Sequence, residues 1–269
     1  MTEAKNLGYT PQDKAWANFG QGAPETEIIP GGPERLHTIS FGDAELEYSP
    51  VDGMFELKQA VANLYNSRFR QDCESKYTHE NVSICAGGRL ALTRLMMTLG
   101  RINVGHFLPD YTAYEELFDS YGTFAPIPLQ VSREQNYLLT ASELEDRILG
   151  LGLGAIALSN PRNPTGSLLT GQQLKEWLDV AESTNTTMIF DEFYSHYIYD
   201  KSGELSAARY VKDVNSDPVV IIDGLTKNWR YPGLRVSWTL APKQIIERIA
   251  SAASFMDGGC AHPVQKAAV

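Results

Sequence analysis

The sequence lacks the features by which several classes of protein are recognised. Its 269 residues carry a net charge of −10, and its 23 lysines and arginines form no basic run. Neither a nucleic-acid binder nor a basic membrane-surface helix is therefore expected. No apolar run reaches the length of a membrane span, and the polar N-terminus lacks the apolar centre of a signal peptide. We expect a soluble, cytoplasmic protein.

Cysteine is scarce as well. Cys73, Cys85 and Cys260 lie far apart and form neither a CxxC pair nor a metal-ligand spacing. Because three is an odd number, a disulfide framework is disfavoured, and free thiols in a reducing compartment are the simpler interpretation. No GxSxG sequence supports a serine hydrolase, and the five histidines are scattered. No metal site is predicted.

What the sequence does contain is a regular alternation of apolar segments and segments of helical period. Apolar residues at 54, 57, 61, 64 and 65 predict the first helix. Further helices are predicted at 89–100, 111–122, 142–149, 170–183, 204–214 and 243–255. Strands are predicted at 81–86, 103–109, 124–131, 155–159, 186–190, 218–223 and 235–241. Two prolines place 124–131 at a sheet edge, and Ser142 with Glu145 predicts a capping box.

The order of these elements predicts the fold class. Strands that alternate with helices favour right-handed crossovers and a largely parallel sheet. Residues 1–50 are rich in glycine and proline and are interpreted as an N-terminal arm, whereas 51–269 show no linker and are interpreted as one α/β domain.

Special residues follow five of the predicted strands. They are the pair Gly87-Gly88, then Tyr111, Asn163, Asp191 with Tyr194, and Lys227. Ligands of open parallel sheets bind beyond the carboxyl ends of the strands, so these residues are expected to meet at one edge. Each also has a simpler interpretation: a tight turn, a helix cap, a packed tyrosine or a solvated lysine.

Taken together, the motifs favour a catalytic site over these simpler interpretations. "PRNPTG" (161–166), then "DEFY" (191–194), then "TK" with "PGLR" eight residues beyond, resembles the fold type I pyridoxal-phosphate enzymes, and within them the class I and II aminotransferases. "NFGQGAP" (18–24) and "YSPVDGMFELKQAV" (48–61) are similar to that family's N-terminal segments. These motifs resemble those of the family in order and spacing from Asn18 to the last residue.

The resemblance implies a three-layer α/β/α large domain like that of aspartate aminotransferase, with pyridoxal 5'-phosphate as cofactor. It implies transfer of an amino group between an amino acid and a 2-oxo acid, in a homodimer with a shared active site. A lyase or synthase that acts on an amino acid uses the same cofactor residues, and a cofactor-binding module without turnover is a further alternative.

The resemblance also assigns roles to the residues around the cofactor. Lys227 forms a Schiff base with the cofactor aldehyde and carries the proton from Cα, and its pKa is expected to be lowered by partial desolvation beside Arg235. Arg235 binds the phosphate together with the helix start at Gly87-Gly88. Asp191 pairs with the ring nitrogen.

Five further residues complete the implied set. Tyr194 and Asn163 hydrogen-bond the phenolic oxygen of the ring, and Asn163 also borders the substrate. Tyr111 stacks on the ring, and Gly22 lines the substrate site. Tyr48 matches a tyrosine that reaches the phosphate of the partner subunit.

The sequence departs from the family pattern in three places. Gly224 stands where a serine is frequent, so Thr226 is expected to supply the hydroxyl, and Arg89 replaces a hydroxyl-bearing residue. The sequence ends at Val269, ahead of the small C-terminal domain whose arginine grips the substrate carboxylate. We therefore expect a fragment or a truncated gene product that binds the cofactor better than it turns over substrate.

Overall fold

Seven strands form one mixed sheet in the computed structural model, which describes residues 2–10, 13, 15–17, 22–123, 125–199 and 203–269. The strands are β1 Val82–Cys85, β2 Asn103–Leu108, β3 Ala125–Gln130, β4 Leu153–Ser159, β5 Thr187–Asp191, β6 Val219–Gly224 and β7 Ser237–Leu240. Their order across the sheet is β1-β7-β6-β5-β4-β2-β3. The predicted strands are confirmed, and β3 lies at an edge as its prolines indicated.

The direction of the strands decides where their ends meet. The strands β6, β5, β4, β2 and β3 are parallel neighbours, whereas β7 is antiparallel to both β6 and β1. Ser159 pairs with Asp191, which in turn pairs with Ile222. The carboxyl ends of β4, β5 and β6 are therefore level, and the reversed β7 begins at the same edge.

Helices cover both faces of the sheet, as a three-layer fold requires. They are α1 Thr2–Asn6, α2 Phe55–Phe69, α3 Gly88–Thr98, α4 Ala113–Asp119, α5 Ala141–Leu151, α6 Gly171–Thr184, α7 Lys243–Met256 and α8 His262–Ala268. One buried apolar cluster joins the sheet to α2, α5 and α6, and a second joins it to α3, α4 and α7. Apolar side chains on both faces of the sheet are buried away from water, which accounts for the nearly continuous apolar sequence of the strands.

Two local predictions are wrong. The cap of α5 is Thr140, not Ser142: the Thr140 hydroxyl accepts the N–H of Glu143, whose carboxylate accepts the N–H of Thr140. Residues 204–214 hold only a 3-10 turn, Ala207–Arg209. There the Ser206 hydroxyl and the Glu192 carboxylate accept backbone N–H groups of the turn, and such side-chain bonds compete with a longer helix.

The described part of the arm packs on the loop between β6 and β7. Arg35 donates to the carbonyl oxygens of Trp229 and Arg230, and its guanidinium lies 3.8 Å from the ring centre of Tyr231. Arg230 in turn donates to carbonyl oxygens of the arm. The arm therefore supports the loop that carries Lys227. Within the described ranges, no helix is long and apolar enough to cross a membrane.

Candidate active site

The predicted strand-end residues line one cavity of about 650 Å³. It lies at the edge where the carboxyl ends of the parallel strands meet. Ten of the twelve residues implied by the resemblance line it: Gly22, Gly88, Arg89, Tyr111, Asn163, Asp191, Tyr194, Thr226, Lys227 and Arg235. Gly87 stands immediately before this wall, and Tyr48 lies elsewhere. The convergence expected from the strand ends is thus present in the structure.

The reversed β7 explains the spacing between Lys227 and Arg235. β6 ends at Gly224, so Lys227 follows directly at the carboxyl edge. The chain then folds back through a loop and enters β7 at Ser237, where the N–H of Leu225 donates to the carbonyl oxygen of Val236. The loop returns the chain to the edge that it left, which places both cations at the cavity.

Lys227 is a half-buried amine with a lowered pKa. Burial is the main cause, and the charges of Arg235 and Arg89 lower the pKa further, whereas Asp191 opposes them. The direction agrees with the sequence-based expectation, although burial outweighs the effect of Arg235. The ammonium donates to the carbonyl oxygen of Gly22 and lies 5.7 Å from the ring centre of Tyr194.

Asp191 is a buried carboxylate at the end of β5. The Tyr114 hydroxyl donates to it at 3.1 Å, and the N–H of Phe193 donates at 3.3 Å. Burial raises the pKa of Asp191 to about 7, against the effect of those two bonds and of the Lys227 charge. A buried carboxyl with so high a pKa is stabilised by a cationic partner. Tyr114 is not among the predicted site residues, because it lies within a predicted helix and not at a strand end.

The opposite end of the cavity is built for an anion. Gly87 has a φ of 100°, and a Cβ there would overlap the guanidinium of Arg235, so the backbone and the arginine can approach only because residue 87 is glycine. The helix α3 starts at Gly88 and directs its N–H groups to this end. The enclosed Thr226 hydroxyl oxygen has no hydrogen-bond partner among the described residues. A phosphate group fits these donors.

Arg89 points to the tyrosine beside it. Its Nε and Nη2 donate to the Tyr111 hydroxyl at 3.1 and 2.9 Å, and its guanidinium carbon lies 5.9 Å from the centre of that ring. The replacement of a hydroxyl-bearing residue by arginine therefore adds an exposed positive charge to the cavity wall formed by Tyr111.

Two predicted residues come from outside the strand ends. The carbonyl oxygen of Gly22 accepts the Tyr194 hydroxyl at 3.3 Å, and a Cβ at Gly22 would approach that hydroxyl to 2.7 Å. Residues 18–21 of the same motif lie outside the described residues. Tyr48 is 94% exposed and does not line the cavity. The chain's own fold therefore brings Gly22 to the site but not Tyr48.

Three further polar residues in or beside the cavity are not among the predicted site residues. Asp110 and Ser159 line it, and Arg162 lies 3.4 Å from Asp110. Asp110 directly follows β2 and Ser159 ends β4, so the strand-end rule that marked Lys227 could also have marked them. Within the described ranges, no cluster of histidine, cysteine and carboxylate side chains could hold a metal ion.

Comparison with known proteins identifies the family. The model of aminotransferase class I and II matches residues 14–269. The chain belongs to the class I and II aminotransferase family. Among its relatives, the aspartate aminotransferase of Bacillus sp. (strain YM-2) is 26% identical over 227 residues, and that of Pyrococcus horikoshii is 27% identical over 255 residues.

The matches cover most of this chain but only part of the class I and II relatives. The alignments span 83% and 94% of this chain and 56% and 62% of the two relatives. The crystal structure of aspartate aminotransferase from Thermotoga maritima superposes with a TM-score of 0.74 at 21% identity, over 82% of this chain and 57% of that one. This likeness shows the shared fold.

Class I and II aminotransferases use pyridoxal phosphate. The cavity suits that cofactor on three independent features: the unpartnered Thr226 hydroxyl, the close approach of Gly87 to Arg235, and the buried Asp191 with its raised pKa. These features lie on different strand ends, so the fit does not depend on one motif alone.

Proposed function

We propose that this chain is the cofactor-binding part of a pyridoxal-phosphate-dependent aminotransferase that moves an amino group between an amino acid and a 2-oxo acid. One observation carries the proposal. A single cavity holds an amine of lowered pKa, a buried carboxyl of raised pKa and an arginine beside a helix start. Membership of the family supports it.

In this proposal the phosphate end of the cofactor is held by charge and by backbone donors. Arg235 binds two phosphate oxygens through its planar guanidinium. The N–H groups at Gly87-Gly88 and the dipole of α3 stabilise the same negative charge, and the Thr226 hydroxyl donates its unused hydrogen. Arg89 adds positive charge at the cavity wall.

The ring is held from its edges and its face. Asp191 keeps the ring nitrogen protonated, and Tyr114 orients that carboxylate. Tyr194 and Asn163 donate to the phenolic oxygen, and Tyr111 packs on the ring. When bound, the cofactor supplies an electron sink for the bond that breaks at the substrate Cα.

Lys227 has two proposed roles. It carries the cofactor at rest, since its lowered pKa leaves part of the amine unprotonated and nucleophilic. It would then take the proton from the substrate Cα and deliver it to the carbon of the cofactor that carries the aldehyde. Gly22 and Asn163, which line the same cavity as the lysine, border the substrate.

We further propose a homodimer in which Tyr48 acts on the partner subunit. An almost fully exposed tyrosine outside its own cavity supports the idea. Mixing Tyr48→Phe subunits with Lys227→Ala subunits gives hybrids in which one site carries both changes and the other carries neither. Recovery of part of the activity on mixing supports sharing, and a fully active monomer in sedimentation contradicts it.

The three free thiols support a cytoplasmic location.

Amino-group transfer tests the proposal. Protein loaded with pyridoxal phosphate is offered a panel of amino-acid donors carrying ¹⁵N and a panel of 2-oxo acid acceptors. We expect ¹⁵N to appear in the amino acid made from at least one acceptor, and not with Lys227→Ala. Release of ammonia or of a leaving group without transfer would instead favour a lyase and overturn the assignment.

A further inference from the structure

A buried carboxylate beside the cavity connects two walls of the site. Asp110 follows β2 and is 5% exposed. It accepts the N–H of Tyr111 at 2.7 Å, and it accepts both the hydroxyl and the N–H of Ser159, the latter at 3.3–3.4 Å. The residue that precedes Tyr111 is therefore bonded directly to the end of β4.

Ser159 carries this connection onward to the loop of Asn163. While its hydroxyl donates to Asp110, its oxygen accepts the N–H of Asn163 at 2.9 Å. The bonds form one continuous path from Tyr111 through Asp110 and Ser159 to Asn163. Ser159 also pairs with Asp191 across the sheet, so the path passes beside the third wall of the cavity.

Arg162 supplies the charge that balances Asp110. It is 3% exposed, its Nε lies 3.4 Å from Oδ2 of Asp110, and its guanidinium carbon lies 4.3 Å from the ring centre of Phe107. Its Nη1 donates to the carbonyl oxygen of Tyr137, whereas Nε and Nη2 have no hydrogen-bond partner among the described residues. The guanidinium is thus enclosed beside Asp110. It connects the loop of Asn163 to Tyr137 and Phe107.

We propose that Asp110 and Ser159 are positioning residues of the cofactor site, which fix Asn163 and Tyr111 relative to each other. The inference rests on the proposed function, because it concerns how the cofactor ring is gripped. Burial raises the pKa of Asp110 to about 6, while Ser159, Arg162 and the N–H of Tyr111 lower it. At neutral pH the group is therefore mostly a carboxylate, which accepts hydrogen bonds from Ser159 and from the N–H of Tyr111.

The structure offers a matched pair of serines for the test. Ser159→Ala removes the hydroxyl that links Asp110 to Asn163 but leaves the Asp110–Arg162 pair. Ser167→Ala removes a buried hydroxyl from the same loop, one that bonds to Thr165 at 2.9 Å and does not line the cavity. A purely structural role predicts a similar loss of thermal stability in both variants and no other difference.

The first measurement uses the cofactor-free protein. Hydrogen exchange is followed by NMR at the amide of Asn163. We expect exchange to be about fivefold or more faster in Ser159→Ala, because the acceptor of that N–H is lost, and unchanged in Ser167→Ala. An unchanged rate at Asn163 in Ser159→Ala overturns the inference, whatever the cofactor does.

The second measurement uses protein loaded with pyridoxal phosphate. In Ser159→Ala we expect the dissociation constant to rise about fivefold. The bound pyridoxal phosphate has a visible absorption band whose height depends on pH. The pH at which this band reaches half its height should rise by roughly half a unit, since a displaced Asn163 donates less well to the ring oxygen. Ser167→Ala should match wild type in both quantities. A spectrum and affinity that stay unchanged in Ser159→Ala overturn the positioning role.

Asp110→Asn is the second variant. It keeps one acceptor oxygen but leaves Arg162 without a charge partner, so its spectral shift should exceed that of Ser159→Ala. If it fails to fold, Ser159→Ala alone decides the question. If wild type itself binds no pyridoxal phosphate, the proposed function fails and this inference with it. Normal binding by wild type together with an unaffected Ser159→Ala refutes the inference alone.

Discussion

Asp191 and Glu192 are consecutive residues whose carboxyl groups lie on opposite faces of the sheet. Both are buried, and burial raises the pKa of Asp191 to about 7 and that of Glu192 to about 8. Asp191 opens on a cavity that also holds Lys227 and Arg235. Glu192 is 1% exposed and accepts the N–H of Ala207 at 2.7 Å, inside the layer that covers the other face.

The difference between the two shows what marks a site. A raised pKa is common to both carboxyls, so it does not by itself distinguish function from structure. What separates them is the surroundings: cations and open space lie beside Asp191, whereas closed packing surrounds Glu192. This contrast supports the proposed role of Asp191 at the cofactor, whereas Glu192 holds the turn at Ala207–Arg209.

The largest effect is expected from Asp191→Ala. If Asp191 keeps the ring nitrogen protonated, its loss should slow exchange of the substrate Cα hydrogen by ~10³ or more. Glu192→Gln is the matched control, because it removes a buried carboxyl group from the other face. Deuterium exchange at Cα, followed by NMR in the cofactor-loaded protein, separates them. Near-normal exchange in Asp191→Ala contradicts the assignment.

The second prediction concerns stability and pH. Glu192 has an ordinary pKa of 4.5 and a folded-state pKa of about 8, so between these values the folded protein binds more protons than the unfolded one. Stability of the cofactor-free protein should therefore fall as pH rises from about 4.5 to 8, by up to about 1.4 kcal/mol per pH unit from this group.

Glu192→Gln should flatten that fall, since the amide keeps an acceptor for the N–H of Ala207 and does not titrate. Urea unfolding of both proteins at a series of pH values measures the effect. Asp191→Asn should act over a lower range, between 3.8 and about 7. Parallel stability profiles for wild type and Glu192→Gln would show that the carboxyl does not titrate as described.

The smallest effect is expected from Tyr114→Phe. It removes one hydrogen bond to Asp191 and leaves the ring packed. Such a bond is worth about 0.5–1.5 kcal/mol, so Cα exchange should slow by roughly two- to tenfold. Phe118→Leu, which changes the ring stacked on Tyr114 and leaves the Tyr114 hydroxyl in place, serves as a packing control. A loss in Tyr114→Phe as large as in Asp191→Ala would mean that the hydroxyl has a role of its own.

The sequence was most informative where one rule of the fold acts alone. Strand ends identified Asn163, Asp191 and Lys227, because parallel strands bring their carboxyl ends to one edge whatever packs around them. The same rule could have found Asp110 and Ser159. They were not predicted because Asp110 and Ser159 lie 49 residues apart in the sequence and become neighbours only when β2 and β4 pair.

The errors lie where side chains compete with the backbone. Thr140 and Ser142 both stand before acidic residues three positions on, and the sequence does not show which pair closes the capping box. The stretch 204–214 has a helical pattern, but Glu192, the residue directly after β5, accepts one of its N–H groups. Tyr48 differs again: its predicted partner belongs to another subunit, so one chain leaves that prediction untested.

Reductive trapping of the cofactor tests the central claim most directly. The protein is saturated with pyridoxal phosphate, reduced with borohydride, digested, and its peptides are mapped by mass spectrometry. We expect a cofactor adduct on Lys227, and none on the Lys227→Ala protein. A folded protein labelled at a different lysine, or not labelled at all, would contradict it.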